Sequence, residues 1–304
     1  NVAPTVTIPV LAWGITNKWT AAIAVPIVKY SLNVDAGVRQ TNTKLVQDFA
    51  DKLALDGLYA DRDEFIRKFG APLDSKLAEY GYKPLANENA TKLGDILLVN
   101  KYKTWEDAHN TLTLTNEVAL PTGTPLDPDK VVDIAGGDGQ TDLGLAVSHD
   151  YTFAKYFVFS STAKYTVQLP DEVTRRIPEQ RKSSVSEDKD THVQRDLGDI
   201  ALVQTGLDMN YYGYSIGGNY ALGYKGGDTY TGTAYEGERY DWLGKDSIQN
   251  MHAVMGKVGY DTLTLFKQGK FPVPLALSLT HIRILGGKNF VSDPMTTVDF
   301  NMYF

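Results

Sequence analysis

The sequence predicts an all-β fold, a transmembrane antiparallel β-barrel of about 12 strands, on three observations. Long period-two runs continue along the chain, and very short and long connections join them in alternation. The final run alternates Val298, Phe300, Met302 and Phe304 with Thr297, Asp299, Asn301 and Tyr303. Successive strand side chains point to opposite faces, so a wall between lipid and water requires this alternation.

Composition excludes the main rivals. Of 304 residues 42% are hydrophobic, yet no stretch approaches the ~20 consecutive apolar residues of a spanning helix. No Ser/Gly/Pro-rich linker divides the chain, so residues 1–304 read as a single outer-membrane barrel domain, with residues 43–80 as an insert. The lack of cysteine argues against a disulfide-stapled secreted protein, and a sequence pI near 5.3 excludes nucleic acid as a partner, whose phosphates demand a basic face. The chain opens at Asn1 without a basic segment or an apolar signal core, which leads us to expect an export signal that was removed or is encoded outside it.

In order, the strand-like runs are Thr5–Thr16, Trp19–Asn33, Leu93–Thr104, Ala108–Leu120, Gln140–His149, Phe153–Leu169, Leu197–Asn210, Tyr212–Lys225, Ile248–Thr262, Phe271–Leu285 and Met295–Phe304. Most reach or exceed the ~9–11 residues that cross a bilayer at a tilt. The short links are Asn17-Lys18, Trp105-Glu106-Asp107, Tyr151-Thr152, the Asn210-Tyr211 junction and Leu263–Gly269; the long ones span Val34–Lys92, Pro121–Gly139, Pro170–Asp196, Gly226–Ser247 and Gly286–Pro294. Such barrels keep tight turns on the periplasmic side and long loops outside, so the alternation orients the chain. It also leaves an external start and an odd number of runs, from which we expect a further strand. The charge runs Asp171-Glu172, Arg175-Arg176 and Glu187-Asp188-Lys189-Asp190 read as solvated loop tips, as does Asp127-Pro128-Asp129.

Within the runs one face is apolar and the other small or polar. Tyr212, Tyr214, Ile216, Tyr220, Leu222 and Tyr224 alternate with Gly213, Ser215, Gly217, Asn219, Gly223 and Lys225, and the second set is expected inside. The candidate pore-lining residues are Glu117, Asp142, Asn219, Asp299 and Asn301, with a mild cation preference expected from their acids. Trp13, Trp19, Tyr30, Tyr102, Trp105, Tyr151, Phe153, Tyr211 and Tyr212 gather near run ends, where interfacial girdles sit. Val298, Phe300, Met302 and Phe304 form a membrane-insertion signal of the kind read by the barrel-assembly machinery.

One segment breaks the pattern. From Thr43 to Tyr80 the apolar residues Leu45, Phe49, Leu53, Phe65 and Phe69 recur at helical spacing among charged residues, predicting short amphipathic helices in the first long external loop. They are expected to cap the mouth and form a solute-access surface.

No catalytic, cofactor or metal set emerges. The histidines are His109, His149, His192, His252 and His281, none paired at zinc spacing. Ser278 with His281 is the one conceivable hydrolytic pair. Gly136-Gly137-Asp138-Gly139 lacks the Lys and following helix of a phosphate loop and reads as a flexible turn entering a strand.

Four places carry a family resemblance. Trp13-Gly14-Ile15-Thr16-Asn17-Lys18-Trp19 with Pro26, Gly94-Asp95 leading to Lys101-Tyr102-Lys103, Leu120-Pro121-Thr122-Gly123, and Gly139-Gln140-Thr141-Asp142-Leu143-Gly144-Leu145 resemble motifs of an outer-membrane family associated with the phenol meta-cleavage pathway. The resemblance implies a channel related in style to transporters of long-chain fatty acids and aromatic hydrocarbons. The expected function is passive uptake of small, hydrophobic or aromatic solutes across the bacterial outer membrane, without catalysis or cofactor. The expected partners are outer-membrane lipid and lipopolysaccharide, the assembly machinery and the solute. A structural or adhesive surface barrel with a closed lumen stays open as an alternative, and a lipid-modifying enzyme is a third.

Overall fold

The structure is a computed structural model that describes residues 2–33, 75, 77–181, 183, 185–290 and 293–303. The strands follow the predicted runs closely, with three of the runs broken in two. The first gives β1 (Val2–Thr7) and β2 (Val10–Gly14), parted at Pro9; the second gives β3 (Trp19–Ala24) and β4 (Ile27–Leu32), parted at Pro26. The third extends backwards and parts at Gly94-Asp95 into β5 (Glu88–Leu93) and β6 (Ile96–Glu106). Proline lacks the N–H that a ladder needs, and a Cβ on Gly94 would stand 2.7 Å from Pro26 Cβ, so the breaks align across neighbouring strands.

The remaining long strands are β7 (Asn110–Leu120), β8 (Asp142–Phe153), β9 (Phe157–Gln168), β12 (Ile200–Tyr211), β13 (Tyr214–Lys225), β15 (Gln249–Asp261), β16 (Leu275–Lys288) and β17 (Met295–Met302). Together with β2, β3 and β6 they make one 11-stranded antiparallel sheet in chain order from β2 to β17. The sheet curls. At ~4.8 Å per strand a flat sheet would separate β6 from β15 by roughly 29 Å, yet Leu97 of β6 and Met251 of β15 line one cavity. Among the described residues the outer edges of β2 and β17 have no ladder partner.

Two smaller sheets stand on the long-loop side. β1, β4 and β5 continue the wall as a three-stranded sheet, whose Val28, Tyr30 and Leu32 pack with Ala90 and Ile134. Tyr30 is therefore not a girdle residue. It is 2% exposed, and its hydroxyl donates to Asp133 at 3.3 Å. The other sheet joins β10 (Asp171–Arg176), β11 (Lys189–Asp196) and β14 (Thr229–Thr231), with α1 (Gly237–Gly244) packed on it through Ile177, Val193 and Tyr240.

That sheet corrects the expectation of solvated loop tips. Asp171 receives both arms of Arg195, Arg239 reaches Asp188 at 2.6 Å, and Arg176 and Lys189 converge on Asp129 at 2.5 and 2.8 Å. Except for Asp171 and Arg195, the partners come from different connections, so sequence spacing could not reveal them. Lys83 pairs with Asp127 and holds its carboxyl below the usual range.

Two predicted turns shift by a few residues. The link expected at Tyr151-Thr152 lies within β8, and the chain turns at Ala154 and Lys155, with φ of 47° and 65°. The next lies at Tyr212 and Gly213, with φ of 48° and 88°. Paired positive φ marks the hairpin turn that Asn-Gly usually signals, and Ala-Lys gives no such cue. The link after β15 holds a short helix, α2 (Leu263–Lys267).

Leu45, Phe49, Leu53, Phe65 and Phe69 lie outside the described residues, as does Phe304. The described end of the insert is helical at residues 77–79. There Arg176 donates to the carbonyls of Tyr80 and Gly81 at 2.8 and 2.9 Å and lies over the Tyr82 ring.

Candidate functional site: the cavity inside the sheet

Register assigns the two faces. Glu117 pairs with Gly144, Gly144 with Thr166, Ile200 with Thr166 and Lys225, and Lys225 with Gln249, all on one face. Leu143, Leu145, Val203, Ile216, Leu222, Leu277 and Val298 occupy the other face and are widely exposed, Ile216 at 54% and Val298 at 67%. Water would not tolerate such a contiguous apolar belt, whereas hydrocarbon would. Toward the short turns the belt ends in aromatic rings. Tyr151 stacks on Phe153 at 6.0 Å, Phe153 on Phe157 at 5.7 Å, and Tyr211 meets Tyr212 edge-on at 4.5 Å.

The inward face encloses a cavity of about 420 Å³ beside the long loops. Glu117 and Asp142 line it. Asn219, Asp299 and Asn301 occupy inward register positions opposite Met255, Ser278 and Ala276 but do not line this cavity. Leu97, Ile200, Leu202, Met251 and Phe290 also line it and escaped the sequence reading because they are apolar on the wet face. Cross-strand register places the strand members: Leu97 pairs with Ala119, Ile200 with Lys225, and Leu202 and Met251 with Gly223.

Two of the basic residues on this face are paired. Lys164 bonds Glu117 across two strands, and Lys225 bonds Asp228. The cation preference expected from Glu117 is thereby weakened, because its charge is already met. Ser278 and His281 do not form a pair. Ser278 faces inward and donates to Asp299 at 3.2 Å, while His281 faces outward and meets Thr296 at 2.9 Å.

Small residues keep the wall thin. Gly206 lies opposite Asn219 and Asp208 opposite Gly217, and each polar side chain covers its glycine. A Cβ on Gly206 would meet Asn219 Oδ1 at 2.0 Å, and one on Gly217 would meet Asp208 Oδ1 at 1.9 Å.

At the loop-side mouth the motif residues meet. The Asp95 carboxylate accepts from the N–H groups of Gly123 at 2.8 Å, Asp138 at 3.0 Å and Gly139 at 3.4 Å. Thr122 Oγ1 accepts from the N–H of Ile96 at 2.9 Å. A Cβ on Gly136 would stand 2.1 Å from the Leu93 carbonyl oxygen, and one on Gly137 2.0 Å from Asp95 Oδ2. The glycine run expected to be a flexible turn is instead a close-packed junction, because backbone fills the space a side chain would need. Burial pushes the Asp138 carboxyl up; Asp95 and Asp171 add to the shift, while Gln140 N–H and Arg195 oppose it.

No protein-family profile and no curated protein matches the chain. Among solved structures it is similar to the COG4313 outer membrane channel from Pseudomonas putida F1, with a TM-score of 0.55 and 12% identity over 99% of this chain and 81% of that one. The likeness is one of fold, a long antiparallel sheet of the outer-membrane β-barrel type. A further match, to the outer membrane transporter YddB from Escherichia coli, has a TM-score of 0.25 and 9% identity over 98% of this chain and 36% of that one. Among the described residues no helix is long and apolar enough to cross a membrane.

Proposed function

We propose that this chain is a bacterial outer-membrane channel for passive, non-catalytic uptake of small hydrophobic or aromatic solutes. The observation that carries the reading is the inward cavity. A general diffusion pore needs polar side chains at its water-facing positions, whereas Leu97, Ile200, Leu202 and Met251 occupy them here. An apolar chamber with a few placed polar groups is what a binding site for an apolar solute requires. The exposed belt is the surface such a channel presents to outer-membrane lipid and lipopolysaccharide, and Val298, Phe300 and Met302 on its last strand suit recognition by the assembly machinery. A closed barrel also requires a further strand between β2 and β17, giving about 12 in all.

The cross-linked loops favour a second reading, a closed-lumen surface barrel, since ion pairs from several connections knit the mouth. Planar-bilayer recording combined with liposome uptake separates the two. We expect small, steady conductance and faster uptake of neutral aromatic solutes than of sugars of equal size, with Leu202→Asp abolishing that preference. Electrical silence with no uptake would overturn the channel reading.

A further inference from the structure

Asp138 and Gln140 in the connection before β8, Asp142 at the head of β8 and Gln168 at the end of β9 converge at the loop-side mouth. Matching donors to acceptors there leaves a surplus of oxygen. The Asp95 carboxylate is taken by three backbone N–H groups. The Arg195 guanidinium is spent on Asp171 and on the Asp138 carbonyl at 3.0 Å, and Asp138 Oδ1 accepts Gln140 N–H at 2.9 Å. What remains is Asp138 Oδ2 and the Asp142 carboxylate, met only by long bonds from Gln168 Nε2, and two carboxamide oxygens without a partner. These are Gln140 Oε1 and Gln168 Oε1, on side chains of residues only 1% and 4% exposed.

The Gln168 carboxamide points at both acids, its Nε2 lying 3.5 Å from Asp138 Oδ2 and 3.5 Å from Asp142 Oδ1. A half-turn about its last bond exchanges nitrogen for oxygen and sets a carboxamide oxygen at that spacing from each acid. Oxygens at ~2.4 Å around a calcium ion and at right angles to one another stand about 3.4 Å apart. Gln140, whose Nε2 bonds the carbonyl of Leu169 beside Gln168, adds a further orphaned oxygen to the junction. No group of at least three His, Asp and Glu side chains gathers as a metal cluster among the described residues. Two carboxylates with carboxamide oxygen are instead a donor set for a hard cation.

We infer that Asp138, Asp142 and the turned Gln168 carboxamide bind one calcium ion, a site that departs from the metal-free expectation of the sequence. The ion would tie the connection before β8 to the ends of β8 and β9, and it would neutralise the Asp142 carboxylate that faces the apolar cavity. The test uses the full chain refolded in detergent free of lipopolysaccharide, with equilibrium dialysis against radioactive calcium. We expect about one ion per chain with a Kd below about 1 mM and a higher midpoint for the heat-induced gel-mobility shift in calcium than in chelator. The double variant Asp138→Asn, Asp142→Asn should lose both responses while folding normally in chelator, since it removes two crowded charges. Asp241→Asn, on the exposed side of α1, should lose neither. No uptake by the wild-type chain at about 5 mM calcium, or undiminished uptake by the double variant, would overturn the site. Neither readout involves conductance, so failure here leaves the channel reading standing.

Discussion

Asp95 ties the mouth together, because its carboxylate satisfies N–H groups from both ends of the connection between β7 and β8. Buried donors without partners cost about 1–3 kcal/mol each, which explains why Gly123 and Gly137 crowd around it. Asp138 plays the opposite part, with a carboxyl raised above 3.8, chiefly by burial. A raised folded-state value means that the folded chain holds the proton more tightly. Its penalty is therefore absent below the unfolded value, grows as pH rises toward the folded value and is complete above it. Asp95, Asp142, Asp171 and Arg195 surround the group, and Asn retains an oxygen for the Gln140 N–H. In chelator, Asp138→Asn should raise the unfolding midpoint at pH 7 and leave it unchanged at pH 3, as read by the gel-mobility shift. A loss of stability at pH 7 would contradict this assignment.

At the scale of the element, the hairpin joining β8 and β9 turns on two non-glycine residues with positive φ, Ala154 and Lys155. Left-handed backbone costs a residue with a Cβ about 1 kcal/mol or more, so Ala154→Asn with Lys155→Gly should stabilise the chain by about 1 kcal/mol. Urea titration of the refolded barrel would measure it, and a lower midpoint would show that the ring contact between Lys155 and Tyr156 matters more. This turn also shows where sequence reading stops. Alternation located the 11 strands of the main sheet because lipid and water impose it on every rung. It could not locate β10, β11 and β14, where Arg239 and Tyr240 reach Asp188 and Asp190 from another connection. Glu117 and Asp142 were legible as inward acids, whereas Met251 and Leu202 were not, because apolar residues inside a barrel contradict the rule used to find the lumen.

For the whole molecule, the strand order decides what closure requires. Strands alternate in direction, so β2 and β17, at the two ends of an 11-stranded sheet, run the same way. An open edge in lipid leaves backbone groups without partners, and antiparallel closure needs an intervening strand of opposite direction. The chain has no cysteine, so introduced pairs can be read cleanly. Cysteines at Leu11 or Trp13 paired with cysteines at Val298 or Phe300 should not form an intramolecular disulfide on oxidation, since bridging requires Cα atoms within about 7 Å. Prompt bridging of any pair would mean that β2 and β17 meet directly in parallel. The bore of the closed tube depends on rungs such as those between β12 and β13, where Gly206 faces Asn219 and Gly217 faces Asp208. Neither member of such a rung can drift alone, because a larger residue on the glycine side collides with its counterpart. Inheritance acts on the pair: across diverging lineages the bulky and the small partner should change places together, so that the width of the passage is preserved while neither position is.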